Sequence, residues 1–248
     1  MVAVGALAAT LAVICHETVG HGLGCIGAGG HITLLTSIWF RCSKTVPIAD
    51  VGGPIGNLVG GTVAAALLTH TGPRPTGRLL LLLFGALNLF WFMGQLTFES
   101  LTNRHDDWYW ILQSQPAIWR PVGAVMGIGG YMLAIRWFSA VARKRGGPQS
   151  HTIRLAYAAA AASAVLSGLM WQPEAVRSAF EGFLTLGVAP LGLLRIARTA
   201  SRDIAHDVSP GSVPRSWIWI SISAVLFGIF LFIQARGLGP LATSTLSP

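Results

Sequence analysis

The chain opens with the apolar run MVAVGALAATLAVICHETVGHGLGCI, from Met1 to Ile26, which is long enough to cross the roughly 30 Å hydrocarbon core of a bilayer as one helix. Three ionisable residues, His16, Glu17 and His21, lie near its end. Such groups cost roughly 2.5–3.5 kcal/mol each at membrane depth, so they mark functional sites by default. The stretch therefore predicts a membrane helix that carries a metal or proton site.

The composition of the whole chain is that of an integral membrane protein. Of its 248 residues, 52% are hydrophobic and 10% are charged, and the mean hydropathy is +0.60, which excludes an ordinary soluble domain. Apolar runs occupy residues 2–25, 49–70, 79–101, 117–142, 155–172, 179–198 and 216–235. We therefore expect an all-α polytopic protein of the cell membrane, with six or seven transmembrane helices and the lipid bilayer as its surroundings.

The positive charges predict an orientation rather than a nucleic-acid partner. With seven spans, the basic residues of three loops, at 74–78, 143–154 and 195–215, fall on one side of the membrane. The positive-inside rule assigns that side to the cytoplasm, so the N-terminus is expected inside. Arg41 and Lys44 fall on the opposite side.

The spacing of the two histidines decides whether they can share a metal ion. At about 100° per residue, His16 and His21 lie about 140° apart on an ideal α-helix and point to different faces. A single i→i+5 turn brings such residues onto one face, and these π-bulges are frequent at functional sites. We therefore predict a bulge in the first span between His16 and His21.

The segment between the first two spans has the composition of a strand. Residues 29–42, GGHITLLTSIWFRC, are rich in β-branched and aromatic residues and are bounded by glycine and Pro47. This favours a short hairpin or strand, with a plain interfacial loop as the alternative. The odd number of cysteines, Cys15, Cys25 and Cys42, and their spacing predict no disulfide scaffold.

The second span begins with a glycine-rich stretch, VGGPIGNLVGG at residues 51–61. Small residues at this density allow helices to approach closely, and Asn57 can form a hydrogen bond across the interface. The stretch contains a G-P-x-x-N string made by Gly53, Pro54 and Asn57.

A near H-E-x-x-H string in an apolar helix, a strand-like insertion and a G-P-x-x-N helix start together resemble the site-2 protease family of intramembrane zinc metalloproteases. In that family two histidines bind zinc and the glutamate activates a water molecule. The resemblance implies that His16 and His21 bind Zn²⁺ and that Glu17 is the catalytic general base. It also implies a transmembrane protein as substrate and a G-P-x-x-N helix that packs beside the site.

The resemblance also implies a third ligand, an aspartate from a later helix, usually within an N-x-x-P-x-x-x-x-D-G string. Asn88 begins a similar stretch, but Trp91 stands where proline is expected and the aspartate is missing at its position. Three acids follow near the end of the third span. Asp107 is the first choice, because Asp107 and Trp108 resemble the G-D-W ending of divergent family members. Asp106 is the second choice and Glu99 the third.

The chain divides at about residue 110 on this interpretation. Residues 1–110 form the metalloprotease core, and residues 111–248 form C-terminal membrane helices of unassigned role. The first and third spans run in parallel, so both parts of the site emerge on the same side of the bilayer. Two other interpretations remain open at this point: a noncatalytic homologue, and a membrane protein that binds haem or an ion through His16 and His21.

Overall fold

The computed structural model describes residues 1–70, 75–102, 104, 106–113, 117–144, 148–202 and 215–245. Six helices in these ranges are long and apolar enough to cross a membrane, which suggests a multi-pass membrane protein. The helices are α1 (Val2–Gly27), α2 (Pro47–His70), α3 (Pro75–Thr102), α4 (Tyr109–Gln113), α5 (Trp119–Lys144), α6 (Ser150–Leu169), α7 (Gln172–Ala200) and α8 (Trp217–Phe232). The short helices α4 and α8 are not among the six.

Helices α6 and α7 begin earlier than the apolar pattern predicts, at residues 150 and 172 instead of 155 and 179. The polar residues that interrupt the pattern are tolerated in the first helical turns. Pro173 occupies one of the first positions of its turn, where the missing N–H has no intrahelical partner to lose. Glu174 accepts a hydrogen bond from Arg177 three residues later, at 2.8 Å.

The hydrophobic core lies where α1, α3, α6 and α7 meet. Large side chains such as Phe90, Phe138 and Leu186 are fully buried there. The pairs α1–α6 and α3–α5 pack along their lengths, and α2 packs against both α3 and the second half of α1. This arrangement places the polar part of α1 between α2 and α3.

The middle of α1 is a π-helix, from Ile14 to His21, with regular α-helix before and after it. The predicted bulge between His16 and His21 is therefore confirmed. The wider turn lies directly against α2: a Cβ atom on Gly20 would be 2.8 Å from the Cα of Gly53 and would collide with the carbonyl of Gly52. The glycines of both helices thus allow backbone-to-backbone contact, as expected of small residues between membrane helices.

The segment after α1 forms an antiparallel hairpin of β1 (Ile32–Leu35) and β2 (Phe40–Cys42), which confirms the strand prediction. The hairpin packs on protein as well: Trp39 Nε1 donates a 2.8 Å hydrogen bond to Ser178 Oγ of α7. The expectation of no disulfide is wrong for one pair of cysteines. Cys25 at the end of α1 is bonded to Cys42, because the hairpin folds back and brings their Cα atoms to 5.7 Å.

The segment after α8 returns to the end of the bundle that carries the hairpin. Backbone hydrogen bonds of 2.8 and 2.9 Å join Leu238 to Leu35. Gln234 donates to the Thr36 carbonyl and accepts from the Thr18 hydroxyl of α1, both at 2.9 Å. Within the described residues the chain therefore crosses the bundle seven times, six times through the long helices and once through α8.

The described basic residues of the three predicted cytoplasmic loops, among them Arg78, Arg154 and Arg195, lie in helices that begin or end at the opposite end of the bundle. Arg74, Arg145 and residues 203–214, which belong to the same prediction, lie outside the described residues.

The helix α7 is deformed in its middle, with a π-helical turn at Leu184–Val188 and a 3₁₀ turn at Ala189–Leu191 around Pro190. Two tyrosines satisfy backbone groups at the deformation. Tyr131 donates to the Ala189 carbonyl at 2.7 Å, and Tyr157 donates to the Gly187 carbonyl. The bend is therefore fixed by side chains from two neighbouring helices and belongs to the fold.

Candidate metal centre

The π-helical turn brings the two imidazoles together. His16 and His21 are both buried, and their Nε2 atoms lie 3.1 Å apart. On a regular α-helix the two rings would diverge, so the wider turn is what makes the pair.

The loop after α3 adds a carboxylate to this pair. Asp107 places Oδ2 3.0 Å from Nε2 of His16 and Oδ1 3.4 Å from Nε2 of His21, and its side chain is 13% exposed. Of the three acids considered from the sequence, Asp107 is the one that joins the histidines. Glu99 instead accepts a 2.9 Å hydrogen bond from the backbone N–H of Trp108 and so positions the loop. Asp106 lines the same cavity as His16, His21 and Asp107.

The helix α2 holds the far side of each imidazole. Nδ1 of His21 is 2.7 Å from the carbonyl of Ala49, to which it donates its proton, so that Nε2 carries the free lone pair. Nδ1 of His16 is 2.9 Å from the side-chain amide of Asn57. The atom nearest the ring is Nδ2 of Asn57, and its Oδ1 is buried without a hydrogen-bond partner among the described residues. Turning the amide by 180° would give Oδ1 the Nδ1 proton of His16 and free Nε2 of this histidine as a ligand. Such outer partners orient the histidines of metal sites.

Two aromatic side chains fix the planes of the rings. Trp91 of α3 stacks on His16 with 4.0 Å between ring centroids, and Phe40 of β2 stacks on His21 at 5.1 Å. Trp91 is the residue that stands where the third-ligand string of the resembling family has proline. Each imidazole is thus held by a hydrogen bond at Nδ1 and by an aromatic face.

Gly53, from the G-P-x-x-N string, faces the point where the donors converge. A Cβ atom at this position would lie 2.6 Å from Nε2 of His16 and 2.6 Å from Cε1 of His21, and closer still to His21 Nε2. Any side chain here would therefore fill the space between the two nitrogen donors.

The three donors fit a small divalent cation. Ligand atoms held at about 2.0–2.1 Å around a tetrahedral ion lie roughly 3.3 Å apart, close to the separations of 3.0–3.4 Å in this group. Two histidines and one carboxylate form a donor set used by catalytic zinc and by non-haem iron(II). His16, His21 and Asp107 can therefore hold a metal ion.

Glu17 is buried next to this group and lacks a partner for one of its oxygens. Its side chain lines the same cavity as the three donors, and Oε2 has no hydrogen-bond partner among the described residues. A buried acceptor without a partner costs about 1–3 kcal/mol, and more when it is charged. The cavity therefore provides a proton acceptor beside the candidate metal ligands.

The cavity has a volume of about 110 Å³ and a strongly acidic lining. Five of the nine acidic residues of the chain line it: Glu17, Asp50, Asp106, Asp107 and Glu181. Burial raises the pKa of the Asp107 carboxyl, but the facing imidazoles outweigh burial and hold this pKa below its usual range. Arg104 lines the cavity too and forms an ion pair with Glu181 of α7.

The sequence did not indicate that residues of the C-terminal half reach the site. Glu181 and Thr185 of α7 line the cavity opposite α1 and α3. The one sequence signal that could have identified Glu181 is its place as an acid within an apolar run, and it was not used. Nothing in the local sequence indicated the aromatic support from Trp91 and Phe40.

Comparisons of the chain with protein-family models, with curated proteins and with solved structures found no match.

Proposed function

We propose that the protein is a membrane-embedded zinc metallopeptidase that hydrolyses peptide bonds in or near transmembrane segments of other proteins. The observation that carries the proposal is Glu17, a buried carboxylate with an unpartnered oxygen beside a His₂Asp donor group. Zinc peptidases use this combination of metal ligands and a general base. The site therefore agrees with the resemblance that the histidine and G-P-x-x-N strings suggested.

In this proposal His16, His21 and Asp107 hold the ion. Zinc bound there would supply Lewis-acid chemistry, lowering the pKa of a water molecule to about 7 and polarising the scissile carbonyl. Glu17 takes the proton of the attacking water on Oε2 and passes it to the leaving amine. The Ala49 carbonyl takes the Nδ1 proton of His21 and leaves its Nε2 available as a ligand, and Asn57 does the same for His16 when its amide oxygen faces the ring.

The position of the site supports a substrate that lies in the membrane. The donors are held by α1 and by the loop at the end of α3, two helices long and apolar enough to cross a bilayer. His16, Glu17 and His21 are buried, and the backbone of a substrate helix is enclosed by its own side chains in a cylinder about 10–12 Å across. A substrate helix must therefore unwind locally before its backbone can reach the donors.

The experiment compares metal content and cleavage in the same preparations. Purified wild type is expected to contain about one zinc per chain and to cleave a membrane-embedded reporter. Glu17→Gln should keep the metal and lose cleavage, because an amide preserves the shape but cannot accept the proton. His16→Ala should lose both, and Glu174→Gln, which changes an acid away from the cavity, should lose neither.

Three outcomes would contradict the proposal. Equal zinc content in wild type and His16→Ala would exclude the metal site. A Glu17→Gln variant that cleaves at the wild-type rate would remove Glu17 from the mechanism. Wild type that binds zinc but cleaves none of a broad panel of transmembrane segments would favour a noncatalytic role.

A further inference from the structure

A second cavity adjoins the acidic one and is mainly apolar. It has a volume of about 260 Å³ and lies between α3 and α7, where Gly94, Phe98, Leu184, Val188 and Ala189 form its apolar walls. We call these five residues and the space between them the apolar chamber. Trp91, Gln95, Arg104, Asp106, Glu181 and Thr185 line both cavities, so the chamber is continuous with the candidate metal centre.

The chamber opens sideways, toward the outer face of the helix bundle. Phe98 is 44% exposed and Val188 is 41% exposed, and they stand on opposite walls of the chamber. Both belong to helices long and apolar enough to cross a membrane. Where α3 and α7 span a membrane, a group that enters between these two side chains comes from the lipid phase.

The deformation of α7 creates the chamber wall. The π turn at Leu184–Val188 and the 3₁₀ turn after it replace a regular helix at this wall, and Tyr131 and Tyr157 hold the bend from behind. Gly94 lets α3 and α7 approach closely at the edge of the chamber: a Cβ atom there would lie 3.2 Å from the Cβ of Ala189. The space is therefore a built feature of two helices.

We propose that the apolar chamber is a specificity pocket that receives one large apolar side chain of the membrane-embedded substrate, next to the bond that is cut. This inference rests on the proposed peptidase function. The chamber lies between two helices that are in close contact at Gly94 and Ala189, whereas a helix with its side chains is about 10–12 Å across. It therefore suits one side chain of an unwound segment better than a whole helix.

An unpartnered acceptor between the two cavities favours a peptide over a lipid chain. Oε1 of Gln95 is buried without a hydrogen-bond partner among the described residues, while its amide nitrogen donates to Asp107 Oδ2 at 2.8 Å. A peptide backbone entering here offers an N–H to this oxygen, whereas an acyl chain offers no donor. With this contact, the Gln95 side chain would bridge the substrate backbone and the Asp107 carboxylate.

The test reads occupancy of the chamber directly and does not depend on turnover. Glu17→Gln protein in lipid nanodiscs is irradiated with a synthetic transmembrane peptide that carries one benzophenone side chain in a central Gly-Pro segment. The crosslinked residues are then mapped by mass spectrometry. A phospholipid with a photoreactive acyl chain serves as the second probe.

The peptide is expected to crosslink at residues 94–98 and 184–189. Val188→Trp, which places a larger side chain at the open edge of the chamber, should reduce this crosslinking about tenfold or more. Val176→Trp, an 80% exposed valine on the same helix, is the matched control and should not reduce it. Crosslinking of the peptide elsewhere, or of the acyl chain in place of the peptide, would overturn the proposal.

A second arm measures specificity with cleavage reporters that carry either phenylalanine or alanine at the tested position. Wild type should prefer the phenylalanine reporter by about tenfold or more, the range that apolar pockets achieve. Val188→Trp should remove this preference and keep the zinc content, whereas Val176→Trp should keep the preference, the zinc content and the cleavage of both reporters. An unchanged preference in Val188→Trp would overturn the pocket, whereas loss of all cleavage in wild type with intact crosslinking would overturn only the peptidase function.

Discussion

Replacing Gly53 by alanine tests the metal centre with the smallest possible change. The added methyl group would lie 2.6 Å from Nε2 of His16 and 2.6 Å from Cε1 of His21, whereas ordinary contact begins at 3.4 Å. Each ring must therefore retreat by at least about 0.8 Å, the difference between 3.4 and 2.6 Å. Metal sites tolerate about 0.2 Å in their ligand distances.

The rings cannot retreat freely, because Trp91 and Phe40 stack on them and α2 holds both Nδ1 atoms. We expect Gly53→Ala to weaken zinc binding more than 100-fold, beyond the 10–100-fold typical for loss of one outer partner. Overpacking should cost the metal-free fold about 1–3 kcal/mol, partly offset by the roughly 0.5–1 kcal/mol gained by alanine in a helix.

The assay is competition with a chromophoric zinc chelator, together with thermal unfolding of the metal-free protein. Gly129→Ala is the matched control, since a Cβ there meets no atom within 4 Å. It should bind zinc as wild type does. If Gly53→Ala binds zinc within threefold of wild type, the point between the two imidazoles is not the place of the ion.

Three further predictions follow from the surroundings of the site. Asn57→Ala should weaken zinc binding 10–100-fold by freeing Nδ1 of its histidine, and an unchanged affinity in the chelator assay would exclude that role. Arg104→Glu should reduce reporter cleavage at least tenfold, because it places a second acid against Glu181. Adding Glu181→Arg should restore part of the cleavage. A double variant that cleaves no faster than the single one would exclude a role for the ion pair in activity. In intact cells, a membrane-impermeant maleimide should label the partly exposed Cys42 after reduction and not before, because disulfides persist on the oxidising side of a membrane. Labelling without reduction, or in inverted vesicles alone, would contradict this orientation.

The sequence predicted the parts of the site that depend on helix geometry. The i,i+5 spacing of His16 and His21 required a π turn, and the structure contains one. The parallel course of the first and third spans predicted that an acid at the end of α3 would face the histidines, as Asp107 does. These features follow from the rise and rotation of a helix, which act over a few residues and can be read from spacing.

The parts that the sequence did not predict depend on how distant segments meet. Spacing and an odd count of cysteines gave no sign of the Cys25–Cys42 bond, since it forms only once the hairpin folds back over the end of α1. The lining by α7 depends on a bend that Tyr131 holds from another helix. Asp107 was the first choice from the sequence, but the role of Glu99 was not foreseen: it was considered only as a ligand, and it fixes the loop by accepting a hydrogen bond from the Trp108 N–H.

The distribution of acids supports a cation at the site independently of the sequence strings. Five carboxylates line a cavity of about 110 Å³, and among the described lining residues Arg104 is the one side chain with a permanent positive charge. With all five ionised and both imidazoles neutral, the cavity would carry four net negative charges in a bundle of apolar helices. At roughly 2.5–3.5 kcal/mol for each ionisable group at membrane depth, such an arrangement is costly unless a cation or protons compensate it. Without a metal ion, protons on the outer carboxylates and on an imidazole would supply this compensation, and a protonated imidazole favours the ionised form of Asp107. A divalent ion at the converging Nε2 atoms would neutralise this carboxylate and lower the cost of an ionised Glu17, so the candidate ligands and the proposed general base depend on the same charge.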